Sequence, residues 1–132
     1  MFKITPIQNA EMQEEYATLC STKRVEGAFA YAMFDVESGS PMGFSQFEIS
    51  EDGGHLLDLR PVEGLDDYEA MFILGRQTMN FVDLCGAHVI YAKPTSADEQ
   101  LLKAIGLRLT ESGHYFRDMS GLFEGEHCSG HK

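Results

Sequence analysis

Basic residues are scarce in this chain. It carries ten Lys and Arg against 21 Asp and Glu in 132 residues, a formal net charge of −11. Binding to a phosphate backbone draws on clustered Lys and Arg that release counterions. The ten here are scattered along the sequence, so no nucleic-acid partner is expected. An acidic surface can instead gather cationic ligands such as amines, or simply keep the protein dispersed. Long apolar runs are missing too. No window nears the roughly 18 apolar residues of a membrane span, so no membrane partner is expected. The opening residues, "MFKITPIQNAEM", have neither an apolar core nor a small-residue cleavage site, which leads to an expected cytoplasmic location. Cysteine is limited to Cys20, Cys85 and Cys128. An odd number at wide spacing is a poor disulfide framework and fits reduced thiols better. There is no Walker A or Rossmann glycine pattern, no internal repeat and no low-complexity segment.

What remains is an ordinary globular composition: 43% apolar, 23% charged, with 13 Gly and 4 Pro. The length suits one hydrophobic core. We expect a single domain over 1–123 and a polar tail over 124–132.

The pattern along the chain reads as follows. Residues 2–7 form a short strand. A helix follows over "NAEMQEEYATLC", with Asn9 as N-cap and Met12, Tyr16, Leu19 and Cys20 on one face. Residues 27–36 are apolar on both faces, as in a strand covered on both sides. There Phe29, Tyr31 and Met33 alternate with Ala28, Ala30 and Ala32, small residues that let a helix approach closely. Strands over 44–50 and 55–60 flank "EDGG", a hairpin signal. A long helix spans 67–84, with Asp66 and Glu69 as a capping box and Gly86 beyond its end. Its apolar face holds Tyr68, Met71, Phe72, Gly75, Met79 and Val82. A strand over 88–93 leads to a helix boxed by Ser96 and Glu99 and closed by Gly106, and two last strands follow. Cys85, near the end of the long helix, reads as a buried small apolar residue rather than a nucleophile. The order β-α-β-β-β-α-β-α-β-β mixes hairpins with crossovers. It predicts an α/β (α+β) fold with a mixed, twisted sheet of six to seven strands and helices on both faces.

The segment "RPVEGLDDYEAMF" at 60–72 poses a functional question. A strand, a glycine-bearing turn and a helix N-terminus together form a common anion site. Yet this turn carries Glu63, Asp66, Asp67 and Glu69. It reads either as a phosphate cradle or as a capped helix start.

The element order, the strand–turn–long-helix unit at 55–85 and "ADEQLLKAIGL" after "HVIYAKPT" resemble the GNAT superfamily of acyl-CoA-dependent N-acetyltransferases. The likeness spans about 2–123. It implies an acetyl-CoA-dependent N-acetyltransferase acting on a small-molecule amine, with a homodimer as a further partner. By the resemblance, Arg60, Val62, Glu63, Gly64 and Leu65 align with the cofactor turn, with a shifted spacing. Leu102 stands where many members carry a Tyr general acid, Thr95 where an Asn often precedes the helix, and Leu107 where an aromatic follows the closing glycine. These departures imply the alternative of a catalytically inactive ligand-binding or sensor domain with a reshaped cleft.

Acyl transfer to an amine needs a base. By the resemblance a carboxylate on the third or fourth strand serves, which singles out Asp58 and Glu48, with His55 as a third candidate. Against that role, both carboxylates also read as solvent-facing strand positions. Tyr115 is the candidate acid in place of Leu102, or a packing residue. In the tail, Cys128 and His131 have a metal-ligand spacing, beside Glu124, Glu126 and His127. No second arm completes a zinc site unless His114, His55 or another chain supplies it. No metal ligand is therefore assigned, and tail zinc stays open.

Overall fold

The computed structural model describes residues 1–123; the tail residues singled out above, Glu124, Glu126, His127, Cys128 and His131, lie outside them. Ten elements follow in the expected order: β1 (Phe2–Pro6), α1 (Ala10–Leu19), β2 (Phe29–Asp35), β3 (Pro41–Ser50), β4 (Gly53–Pro61), α2 (Tyr68–Leu84), β5 (Val89–Ala92), α3 (Glu99–Ile105), β6 (Arg108–Leu109) and β7 (Tyr115–Asp118). The strands make one seven-stranded mixed sheet in the order β1-β2-β3-β4-β5-β7-β6. The β4–β5 pair is parallel and every other pair is antiparallel. That single parallel pair follows from the α2 crossover, since adjacent parallel strands need a long connection.

Helices cover both faces of the sheet. On one face, Tyr31, Met33, Phe47, Leu56 and Leu59 of the strands bury against Leu74, Met79 and Val82 of α2 and Leu102 and Ile105 of α3. On the other, Ala30 and Ala32 of β2 and Phe44 of β3 pack under Tyr16, Ala17 and Cys20 of α1. The small alanines admit α1 close to the sheet, as their alternation with large residues suggests. The deeply buried Cys20 thiol has its pKa pushed up to about 12, first by desolvation, so it is an inert packing group.

Several local expectations shift. The inward residues of α1 are Gln13, Tyr16 and Ala17, with Met12 only half-buried, because Gln13 serves a polar network described below. The cap of α2 is Asp67, not Asp66: its carboxylate accepts from the Ala70 N–H at 3.0 Å. On α2, Ala70, Leu74 and Thr78 are buried, while Tyr68 is exposed. The cap of α3 is Asp98 rather than Ser96, whose hydroxyl is used inside a turn by the Lys93 N–H. Cys85 is exposed, not buried, because it ends α2 at the C-cap. The last strands are shorter than their apolar patterns suggest. Among the described residues, no helix is long and apolar enough to cross a membrane.

Candidate functional site

The fourth strand organises the site. Between β3 and β4 the register runs Gln46 to Asp58 and then Phe47 to Leu56, so Leu57 is an extra residue on β4. Such a bulge bends the strand and re-aims its side chains. On its other edge β4 pairs with β5 only from Gly54 to Leu56, opposite Ile90 to Ala92. Beyond those residues the two strands no longer pair. A cavity of about 580 Å³ lies along the divide, lined by His55, Leu57, Asp58 and Arg60 of β4 and by Tyr91 and Lys93, among others. This is the size range of small-molecule sites.

Asp58 sits at the back of this cleft and is buried. Its carboxylate accepts three hydrogen bonds: from Thr22 Oγ1 (3.0 Å), Gln46 Nε2 (2.9 Å) and Arg60 Nε (2.7 Å). Gln46 in turn donates to the Lys23 carbonyl at 3.0 Å and accepts from the Val25 N–H at 2.7 Å and from Gln13 Nε2 at 2.8 Å. Arg60 also donates to the Thr95 carbonyl. One network, buried at Gln13, Gln46 and Asp58 and exposed at the Arg60–Thr95 bond, therefore ties α1, the 21–28 connection, β3, β4 and the β5–α3 connection together. Satisfied networks of this kind rigidify a site, and partly broken ones are costly.

At the opposite end of the cleft, His55 stacks on Tyr91 with ring centroids 5.2 Å apart, and Tyr91 lies 5.6 Å from His114. The His55 Nε2 atom meets the Asp52 carboxylate at 3.0 Å. A hydrogen bond from His55, then one from Ser50, holds the Asp52 carboxyl below its ordinary value. Asp35 and Asp118 are lowered likewise, each by hydrogen bonds from a serine in its own turn, Ser38 and Ser120. All three values are depressed on folding. Their contribution to stability is thus present above the unfolded carboxylate value of about 4 and is lost as pH falls through the lower folded values. Thermal melts between pH 2.5 and 7 should show a midpoint that is flat from 7 to about 5 and falls below about 4. The fall should be shallower in Asp52→Asn.

The glycine-bearing turn is separate from this cleft. Residues 61–65 line a different cavity of about 530 Å³, together with Asp35, Met42, Asp67 and Met71. Three of the turn's backbone donors already have protein acceptors: Val62 N–H to the Met42 carbonyl (2.8 Å), Glu63 N–H to Leu19 (3.0 Å) and Leu65 N–H to Val62 (2.9 Å). The Glu63 carboxylate accepts from Ser21 Oγ at 3.1 Å, pinning the turn to the end of α1. Gly64 has φ +92° with open space around it, so it serves the turn's backbone shape and not a close approach. Exposed Asp66, Asp67 and Glu69 surround the helix start. A pyrophosphate there would meet three donors already engaged, at Val62, Glu63 and Leu65, and several like charges, and so the turn fits that group poorly.

The residues singled out from the sequence thus divide. Asp58, Arg60 and His55 converge on the cleft. Glu48 is exposed on β3, opposite His55 in the ladder. The Tyr115 ring is buried among core residues of the α2 and α3 face, and its hydroxyl donates to Glu99 Oε1 at 2.5 Å. That hydrogen bond, with desolvation, raises the Tyr115 pKa and weakens it as an acid. Val62, Glu63, Gly64 and Leu65 lie in the other cavity. Among the described residues, no group of three or more His, Cys, Asp or Glu side chains is placed to hold a metal ion. Sequence reading missed Gln13, Thr22, Gln46 and Tyr91. Their partners are far away in the chain, and only the alternation of β3, which puts Gln46 beside Phe44, hinted at one of them.

No protein-family model matches the sequence, and no curated protein matches it. Solved structures do. The ribosomal-protein-S18-alanine N-acetyltransferase from Escherichia coli superposes with a TM-score of 0.64 at 11% identity, covering 88% of this chain and 89% of that one. AtaTR bound with AcCoA gives 0.68 at 13% identity, over 95% and 98%. The protein of a KacTA-DNA complex gives 0.69 at 11% identity, over 96% and 99%. Identities this low carry the fold and no more, and the fold they establish for this chain is that of the GNAT acetyltransferases.

Proposed function

We propose that the chain transfers an acyl group from a CoA thioester to a small-molecule amine, in the cleft between β4 and β5. The observation that carries this reading is the separation of β4 from β5 after Leu56 and Ala92, which opens a cavity beside the bulge at Leu57. In this reading the donor's acyl-pantetheine arm lies along the β4 edge at the divide, and the amine enters from the side of His55 and Tyr91. In the reaction the amine nitrogen attacks the thioester carbonyl, a C–N bond forms, and the C–S bond breaks with CoA leaving as its thiolate, which takes a proton from solvent. His55 is our candidate for the base that takes the amine's proton, because Asp52 orients its ring through Nε2 and leaves Nδ1 for the substrate. Asp58 has its oxygens engaged by three donors and holds Arg60 in place. We assign it positioning rather than proton transfer. Arg60 is the one member of the sequence-derived donor set that lines this cleft.

A second reading, a ligand-binding or sensor domain without catalysis, draws on the turn at 62–65, whose N–H groups are largely occupied. Thermal melting with acetyl-CoA separates the two. A donor present at a hundred times its Kd stabilises the fold by about 2.7 kcal/mol, a shift of several degrees. No shift at millimolar acetyl-CoA ends the transferase reading. Turnover of any amine, lost in His55→Ala with the melt intact, ends the sensor reading.

A further inference from the structure

Residues 93–96, which leave β5, do not simply pass over the divide. They close on themselves, with the Ser96 N–H donating to the Lys93 carbonyl at 2.9 Å and the Lys93 N–H donating to Ser96 Oγ at 3.0 Å. They then tie back to β4. The Leu59 N–H donates to the Ser96 carbonyl at 2.9 Å, and Arg60 Nη2 donates to the Thr95 carbonyl. Ser96 and Ala97 are buried, whereas Lys93 and Thr95 are exposed. The connection is therefore seated against the strand just where β4 has lost β5 as a partner.

An unpaired strand edge is a binding surface for an extended chain with amide groups, which adds to it by main-chain hydrogen bonds. The pantetheine arm of a CoA thioester is such a chain, with two amides. Here the Leu59 N–H, a donor on that edge, is already taken by Ser96. We propose that residues 93–96 are a strap that holds the β4 edge closed in the free protein and must leave before an acyl-pantetheine arm can enter. This rests on the transferase reading and adds its control: Arg60 is the latch, and the Ser96 hydroxyl keeps the strap in shape. When the binding-competent state is a minor one, the apparent Kd rises by the reciprocal of its population. A closed-to-open ratio of about 10 to 100 weakens donor binding by that factor.

The test uses the full chain and two variants, Ser96→Ala and Arg60→Ala. Hydrogen exchange at the Leu59 amide reads strap opening without any ligand, and calorimetric titration with acetyl-CoA reads donor affinity. Both variants are expected to speed Leu59 exchange about tenfold. Ser96→Ala, which leaves the Asp58–Arg60 pair untouched, is expected to tighten acetyl-CoA binding about five- to tenfold. Unchanged Leu59 exchange, or wild-type binding that Ser96→Ala does not tighten, overturns the strap and leaves the transferase reading standing. If neither wild type nor either variant binds acetyl-CoA, the transferase reading falls and the strap's role falls with it.

Discussion

Asp58→Ala is expected to lower the thermal midpoint by roughly 10 °C. The substitution removes the acceptor shared by Thr22, Gln46 and Arg60 and leaves a guanidinium facing the back of the cleft without its carboxylate. Removing one partner of a buried ion pair costs about 3–5 kcal/mol. Arg60 is about one-third exposed, with a side-chain exposure of 32%, so water recovers part of that cost and about 2–4 kcal/mol is the fitting expectation. For a domain of this size each kcal/mol moves the midpoint by a few degrees. Asp58→Asn keeps an oxygen for one donor and should lose about half as much. Glu48→Ala, on the neighbouring strand but exposed, should stay within about 0.5 kcal/mol of wild type. Equal, small effects for Asp58→Ala and Glu48→Ala would show that the network holds nothing together.

Gly53→Ala should destabilise by a similar amount, for a different reason. Gly53 opens β4 with φ +132°, a conformation that side chains rarely adopt. A Cβ there would stand 2.4 Å from Val89 Cγ2 and 2.9 Å from the Val89 carbonyl oxygen of β5. The side-chain atom can move, but the carbonyl is backbone of β5, where Val89 pairs with Asp118 of β7, and cannot move without disturbing the sheet. Backbone strain of about 1–3 kcal/mol adds to overpacking of about 1–3 kcal/mol. Gly64 gives the control. It also has positive φ, at +92°, but a Cβ there would meet nothing within 4 Å, so Gly64→Ala should cost only the backbone strain, about 1–2 kcal/mol. Chemical denaturation of the two variants gives the comparison. A Gly64 variant as damaged as the Gly53 one would mean that close packing against β5 is not what demands glycine at 53.

The order of elements was legible because periodicity and turn residues are local signals. The alternation of Phe29, Tyr31 and Met33 with alanines marked a strand covered on both sides, and "EDGG" marked the hairpin between β3 and β4. Caps were less legible where acids and hydroxyls crowd together. Asp66 and Asp67 offer the same chemistry, and the turn that precedes them, closed by Leu65 N–H to Val62, places Asp67 at the helix start. Ser96 matches a cap by type, yet the strap takes its hydroxyl. The site was legible only in part. Leu57-Asp58-Leu59 reads as a half-exposed strand, and the cover over Asp58 comes from Thr22, 36 residues away. Likewise the turn at 60–67 carried the shape of an anion site in the sequence. Two of its donors, the Val62 and Glu63 N–H groups, turn out to be engaged by Met42 and Leu19, contacts that no local pattern announces.

The central claim is that the β4–β5 divide, and not the acidic turn, receives the acyl donor. Backbone amide shifts followed by NMR during a titration with acetyl-CoA test it most directly. The expected result is that the largest changes fall on residues 57–60 and 93–96, with smaller ones over 62–67. Changes confined to 62–67, or no changes at millimolar acetyl-CoA, would contradict it.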